Sequence, residues 1–181
     1  MALIHVILAV VKHQPHSGYE LWKKLTKNSG YYWQATQQQI YRELGRLEKE
    51  GAITSKVVVQ KNRPDKKVYR VTNKGREILK KWLAKSADPM IIREELLVKI
   101  IAAELVSKPV IIQEIEHHRQ LHVQQLSKYK EIEQEQFYNV SQLSFEQKCF
   151  YATLRYGIHY RSHLLAWCNE AIALLSENTL G

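Results

Sequence analysis

The stretch TQQQIYRELGRLEKEG at residues 36–51 decides the fold. Thr36 and Gln39 have the spacing of a capping box, and Gly51 is a typical helix-stopping residue, so we predict a helix over about 36–50. On a helical wheel its apolar side chains fall within about 60° of one another and predict a side that faces a core. These side chains are Ile40, Leu44 and Leu47.

The opposite side of this helix carries amides near its start and cations further along. Its members are Ala35, Gln38, Gln39, Arg42, Gly45, Arg46 and Lys49. A merely solvated face usually mixes both signs of charge, but no carboxylate occurs on this one. Amides pair with adenine edges and guanidinium groups with guanine or phosphate, and a recognition helix points its N-terminal residues at the bases. The alternative is an ordinary polar surface helix in which Gln39 serves only the cap.

The segments around this helix predict a winged helix-turn-helix. Two helices precede it, over about Ala2–Lys12 and Ser17–Lys27. The β-branched stretches Ile53–Gln60 and Lys67–Val71 predict a hairpin, and Thr72 caps a further helix to about Lys85. Three helices, a hairpin and a fourth helix are the elements of that fold.

The turn of the predicted hairpin, the wing, is rich in cations. Lys61, Arg63, Lys66 and Lys67 stand there against a single Asp65. An extended basic arm of this kind grips phosphates or enters a minor groove. Because a basic hairpin follows a carboxylate-free helix face, we predict double-stranded DNA as the partner.

The positive charge of the chain is concentrated in its N-terminal half. Residues 1–85 hold 18 Lys/Arg and 6 Asp/Glu, a net +12, whereas residues 86–181 hold 9 and 12, a net −3. A basic field of this kind attracts polyanions over a Debye length of about 8–10 Å. We expect no signal peptide or membrane segment, because Ala2–Val11 has no basic segment before it and is far shorter than the ~20 residues that cross a bilayer.

We expect a cytoplasmic protein that is not an enzyme. Cys149 and Cys168 fall on one predicted helix, roughly 28 Å apart, too far for a disulfide. The sequence shows no nucleophile elbow, Walker loop or dinucleotide fingerprint. Its only two aspartates, Asp65 and Asp88, have turn or cap roles. No cofactor is therefore predicted.

The second half of the chain predicts a helical arm. Asp88-Pro89 combines an N-cap residue with a first-turn proline and predicts a helix to about Val106. Longer helices are predicted over Lys108–Tyr138 and Phe145–Ser176. If these two form an antiparallel hairpin that turns near residue 141, residue i lies opposite about 282 − i.

The last predicted helix carries two seams of coiled-coil spacing. The hairpin seam consists of Leu154, Ile158, Arg161, Leu165, Cys168, Ile172 and Leu175. The outer seam consists of Phe145, Cys149, Ala152, Tyr156, His159 and His163. A helix with two packing faces needs two partners. One is its hairpin mate and the other a second subunit, so we predict a homodimer.

Histidines and aromatic residues of the arm allow further hypotheses. The histidines that the hairpin would bring to one level are His118, His122, His159 and His163. They could bind Zn²⁺, sense pH, or form a polar layer that fixes helix register, which is the simplest interpretation. The aromatic residues that could line a small-molecule effector pocket between subunits are Tyr156, Tyr160 and Trp167. Aromatic residues at helical spacing more often belong to a core or a dimer interface.

Several motifs resemble those of PadR-type transcription regulators. They are Ser-Gly-Tyr-Glu-Leu at 17–21, Gln-Gln-Ile-Tyr-Arg-Glu-Leu at 38–44, Leu-Glu-Lys-Glu-Gly at 47–51 and Asp-Lys-Lys-Val-Tyr-Arg-Val-Thr-Asn-Lys-Gly-Arg at 65–76. The stretch Thr153–Ala171 is similar to the C-terminal arm of the AphA-type virulence-activator branch. The resemblance implies a dimeric winged-helix regulator of dyad-symmetric operator DNA. It places Tyr41 and Arg42 on the reading helix, and Arg63, Lys66 and Lys67 on the wing.

Together these features predict a mainly α fold, with an α+β winged helix-turn-helix DNA-binding domain over 1–86 and an antiparallel helical dimerisation domain over 87–181. The residues predicted to contact DNA are Thr36, Gln37, Gln38, Gln39, Tyr41, Arg42, Arg46, Lys61, Arg63, Lys66 and Lys67. The alternatives are a winged-helix adaptor for an acidic protein and a nonspecific DNA-architectural protein. A preference of about 10³ or more over random DNA would separate the regulator from both.

Overall fold

The computed structural model describes residues 2–25, 33, 35–60, 65–89 and 91–177. The chain divides into two compact units, Met1–Pro89 and Met90–Gly181. In order, the elements of the first unit are α1 (Ala2–Val11), β1 (His16–Ser17), α2 (Gly18–Lys23), α3 (Gln37–Lys49), β2 (Ile53–Val58), β3 (Lys66–Val71) and α4 (Asn73–Leu83). Those of the second are α5 (Glu95–Ile101), α6 (Lys108–Gln136) and α7 (Phe145–Ser176), with 3₁₀ turns at Ala103–Leu105 and Val140–Gln142. The predicted fold class is confirmed.

Local capping explains where several helices begin and end. The residue pairs that close capping boxes are Ser17/Glu20, Thr36/Gln39 and Ser144/Gln147. In each box both side chains satisfy N–H groups that the first turn would otherwise leave without partners. Gly51 stops α3 in the left-handed region, at φ 71°, where a side chain would be strained. The predicted end of α2 near Lys27 lies outside the described residues.

The sheet has the strand order β1-β3-β2 and is antiparallel throughout. β2 and β3 form the predicted hairpin, with Ile53 opposite Val71. Its tip, with Lys61 and Arg63, lies outside the described residues. β1 was not predicted, because a two-residue strand has no detectable periodicity and Ser17 pairs with Val68 far along the chain.

The core of the first unit lies between the helices and the inner face of this sheet. Its buried apolar residues are Ile7, Leu8, Val11, Leu21, Leu25, Ala35, Ile40, Leu44, Leu47, Ala52, Ile53, Tyr69, Val71 and Leu79. The three apolar residues of α3 are at most 1 % exposed. Burial of this stripe fixes which side of α3 points outward.

In the second unit α6 and α7 form the predicted antiparallel hairpin. Arg161 donates to Nδ1 of His122 over 3.1 Å, and Arg155 to Glu133 over 2.9 Å. The hairpin seam of α7 is buried or half-buried, whereas all six residues of the outer seam are exposed within the single chain. Cys149 and Cys168 are both free thiols.

The predicted helix start at Asp88-Pro89 is wrong. The first helix of this unit begins at Glu95, and its N-cap residue makes no side-chain cap hydrogen bond. Ile91 and Ile92 are 76 % and 71 % exposed. Since a helix nucleus costs free energy that packing must offset, the local start signal is insufficient where these side chains find no core.

No helix within the described ranges is both long enough and apolar enough to cross a lipid bilayer.

Candidate nucleic-acid interface

The face of α3 opposite its buried stripe is open to solvent. Its exposed residues, here called the α3 outer face, are Gln38, Gln39, Tyr41, Arg42, Gly45, Arg46 and Lys49. Gln37, in the first turn, is also exposed. A Cβ added to Gly45 would meet nothing within 4 Å. A groove-shaped partner can therefore approach the helix backbone closely at this position.

The structure corrects one member of the predicted face. Ala35 is 8 % exposed and belongs to the core. It precedes the N-cap residue Thr36, so the angular spacing of the helix does not apply to it. The oxygen of Gln39 accepts from the Thr36 N–H over 2.9 Å, which commits that atom to the cap.

Two cations of the outer face, Arg42 and Arg46, contact carboxylates on its flanks. Nε of Arg42 lies 3.2 Å from Glu43, and Nε of Arg46 lies 2.9 Å from Glu50. The hydrogen bond to Glu50 raises the pKa of Arg46 above its ordinary value. The Arg42 and Arg46 side chains remain 71 % and 55 % exposed. Exposed pairs of this kind are weak, so both guanidinium groups can exchange their partners for a DNA acceptor.

The two lysines at the base of the wing, Lys66 and Lys67, are tied to the helices. Nζ of Lys66 lies 2.9 Å from Glu20 on α2, and Nζ of Lys67 lies 2.7 Å from Glu48 on α3. The Ser17 backbone N–H and Lys66 together lower the pKa of Glu20 to about 2. These contacts hold the wing base beside the helix-turn-helix, at the C-terminal end of α3.

Two tyrosines extend this surface, and sequence reasoning named only one of them. Tyr41 is 44 % exposed, and its ring lies where a Cβ on Gly18 would clash at 2.5 Å. Tyr19, in the first turn of α2, is 53 % exposed and contacts Trp22. A tyrosine two residues after the capping Ser17, in the first turn of the predicted helix, was the available signal for Tyr19.

The second unit contains a cavity of about 390 Å³. Its lining combines apolar side chains of α5 and the preceding segment with Tyr160 and Trp167 of α7. Imidazoles also line it, those of His118, His122 and His163. The lining does not include Tyr156, which stacks on Tyr160 from outside.

The histidines of this unit form polar contacts with arginines. Arg161 donates to His122, and burial, reinforced by the positive charge of Arg161, lowers the pKa of that imidazole. Arg155 lies 3.1 Å from Nε2 of His159. In the part of the chain that the structure describes, no three His, Cys, Asp or Glu side chains gather as a metal site.

A winged helix-turn-helix unit with an exposed helix that bears amides and cations, and with a basic wing base, is typical of the class of DNA-binding transcription regulators. The chain shares that class with known regulators. Residues 7–81 match the model of the transcriptional regulator PadR-like family, and residues 92–176 match that of the virulence activator alpha C-term.

Three known proteins match this chain over nearly their full lengths. The probable transcriptional regulator Rv1176c of Mycobacterium tuberculosis is 32 % identical, over 98 % of this chain and 99 % of its own. The Vibrio cholerae virulence activator AphA superposes with TM-score 0.77 at 28 % identity, over 96 % of this chain and 97 % of that chain. Bacillus subtilis PadR in complex with operator DNA superposes with TM-score 0.85 at 22 % identity, over 97 % and 100 %. The chain therefore belongs to the PadR-like family of transcriptional regulators.

Proposed function

We propose that the chain is a homodimeric regulator that reads dyad-symmetric operator DNA in the cytoplasm. The first unit is the DNA-binding domain and the second is the dimerisation domain. In each subunit the α3 outer face enters the major groove, and the wing contacts the backbone or the minor groove. Two reading helices one DNA turn apart, roughly 34–36 Å, then match the two half-sites.

One observation carries this proposal. The outer face of α3 presents amides and guanidinium groups to solvent while its apolar stripe is fully buried. Amides and guanidinium groups make the two commonest bidentate contacts with bases. The fold likeness to Bacillus subtilis PadR, which has been solved with operator DNA, supports DNA as the partner.

Gel shifts of Arg42→Ala and Gln38→Ala test the proposal. Each substitution is expected to cost about 1–3 kcal/mol of discrimination between a selected operator and a scrambled duplex. Lys80→Ala is a matched control, because Lys80 has the same side-chain exposure as Arg42, 71 %, and is also paired with a neighbouring carboxylate. Discrimination that is unchanged in both test variants would overturn the assignment of α3.

The dimer proposal rests on the outer seam of α7. The helix already has a partner for its other seam, and this one exposes aromatic side chains such as Phe145 and Tyr156, 84 % and 59 %. Large contiguous apolar surfaces are rare on soluble monomers. A second copy of the chain covers this seam in the proposed assembly.

We also propose that the cavity of the second unit binds a small aromatic acid as an effector. Tyr160 and Trp167 offer faces for a ring, and the imidazoles on its wall offer donors to a carboxylate. Bacillus subtilis PadR has been crystallised with p-coumaric acid, which makes that acid a suitable first probe. Calorimetric titration is expected to show binding that Trp167→Ala weakens, and identical heats for both proteins would contradict this site.

A further inference from the structure

Both wing-base lysines are held by carboxylates that are themselves fixed. Glu20 accepts from the Ser17 backbone N–H over 2.7 Å as well as from Lys66. Glu48 accepts from the Ser55 hydroxyl as well as from Lys67. Each carboxylate is fixed by a second donor, the Ser17 N–H for Glu20 and the Ser55 hydroxyl for Glu48. It therefore stays in place and holds the ammonium group of its lysine.

These lysines are nevertheless partly open to solvent. The Lys66 and Lys67 side chains are 36 % and 46 % exposed. A phosphate that takes either lysine must displace a carboxylate or share the ammonium group with it. The carboxylates also repel a phosphate that approaches the wing base without that exchange.

We propose that Glu20 and Glu48 are specificity-determining residues that withhold the wing-base lysines from random DNA. Nonspecific binding depends almost wholly on phosphate contacts, so a cation occupied by a carboxylate weakens it directly. Operator DNA is also held by contacts of the α3 outer face with bases, and this additional free energy drives the exchange from carboxylate to phosphate. The inference rests on the proposed function, because it assumes that α3 reads bases.

Glu48 allows the cleaner test of the two. Glutamine at this position keeps an oxygen for Ser55 and removes the charge that holds Lys67, whereas Glu20 also closes the capping box of α2. Glu48→Gln is expected to tighten binding to a scrambled duplex about fivefold near 0.1 M salt. It should steepen the dependence of log K on log salt by about 0.9, the value of one added phosphate contact. Operator affinity should rise less, so the ratio of operator to scrambled affinity falls.

Two further variants separate this effect from the general loss of a negative charge. Glu77→Gln removes the same charge from an exposed pair on α4, with Lys80, and should leave the ratio unchanged. In a Lys67→Gln background, Glu48→Gln should give no gain on scrambled DNA, because no lysine remains to be freed.

The outcomes are distinct, with affinities measured by fluorescence anisotropy at several salt concentrations on the full chain. Weaker binding of Glu48→Gln to both duplexes would make Glu48 a clamp that only positions the wing, and would overturn the proposal. A gain that persists without Lys67 would overturn it too, in favour of simple repulsion. If the wild-type protein shows no preference for any duplex, the proposed function fails, while the gain on scrambled DNA still reports whether Glu48 occupies Lys67.

Discussion

The two units of the chain leave different chemistry at their surfaces. The first unit packs its helices and sheet around one core, leaves a few aliphatic side chains such as Val59 and Leu83 exposed, and presents amides and cations on α3. The second buries one seam of α7 against α6 and leaves the other, which includes Phe145 and Tyr156, in solvent. In the proposed assembly the first unit faces a polyanion, whereas a second copy of the chain covers the exposed seam of the second unit.

The difference supports the proposed division of DNA binding and dimerisation between the two halves. A helix face that reads bases needs cations that remain exposed and are not covered by another protein subunit. A dimer face needs exposed apolar area with little net charge. The formal charges of the two halves, +12 for residues 1–85 and −3 for residues 86–181, follow the same division.

The largest expected effect comes from a charge in the outer seam. Tyr156→Glu places a carboxylate in the proposed dimer interface, so the dimer should dissociate and the two reading helices should bind independently. Loss of that linkage is expected to weaken operator binding by about 10²–10⁴-fold. Light scattering reports the mass, and anisotropy the affinity. Leu83→Glu, at an apolar position of the first unit that is 67 % exposed, should leave the mass unchanged. A dimeric Tyr156→Glu protein would contradict the proposed interface.

The closed core of the first unit predicts a large stability effect. Leu44 is fully buried, so Leu44→Ala should cost about 2–5 kcal/mol of unfolding free energy. Leu83→Ala, the same truncation at an exposed site, should change it by less than about 0.5 kcal/mol. Urea denaturation followed by circular dichroism compares the two, and equal costs would show that this core does not determine stability.

The second unit should lose stability at a higher pH than the first. Burial and Arg161 hold the pKa of His122 below its ordinary value, with His118 acting in the same direction and Glu94 against it. The folded state thus favours the neutral imidazole. The contribution of neutral His122 to the free energy of unfolding is therefore fully present above about pH 6.5 and is lost as pH falls below that value. His122→Asn keeps an acceptor for Arg161 and should remove this slope from melting temperatures measured between pH 7.5 and 5.5. An unchanged slope would assign the titration to another group.

The smallest expected effect is in the first unit at acid pH. The pKa of Glu20 is lowered to about 2, so its stabilisation is present above about pH 4.5 and is lost as pH falls toward 2. Because the side chain is 44 % exposed, we expect only about 1 kcal/mol after solvent screening. Glu20→Gln should melt with a shallower dependence on pH between 5 and 2.5, and a parallel curve would show that the ionised carboxylate, held by the Ser17 N–H and by Lys66, adds nothing.

Local signals in the sequence predicted most of the fold. The caps at Thr36 and Ser144 depend on neighbours three residues away, and the structure confirms both. The antiparallel pairing of α6 and α7 followed from the turn position, and His122 indeed meets Arg161, one residue from the expected level. Pairings that depend on distant parts of the chain, such as β1 with β3, left no sequence pattern.

The candidate site was predictable as a face but not as a set of contacts. Helical spacing correctly placed Gln38 and Arg42 outward, because it needs only the angle of each residue. The pair between Lys66 and Glu20 joins residues 46 positions apart, so only the assembled fold reveals it. A surface that seemed rich in free cations in the sequence therefore holds several of them in ion pairs.

Selection of bound sites from random DNA by the full-length wild-type protein tests the central claim most directly. The account predicts an enriched dyad-symmetric sequence with half-site centres about one helical turn apart. It also predicts a preference of about 10³ or more over scrambled duplex, which Arg42→Ala reduces. Recovery of sequences without dyad symmetry, bound no better than random DNA, would contradict the assignment of α3 as a base-reading helix.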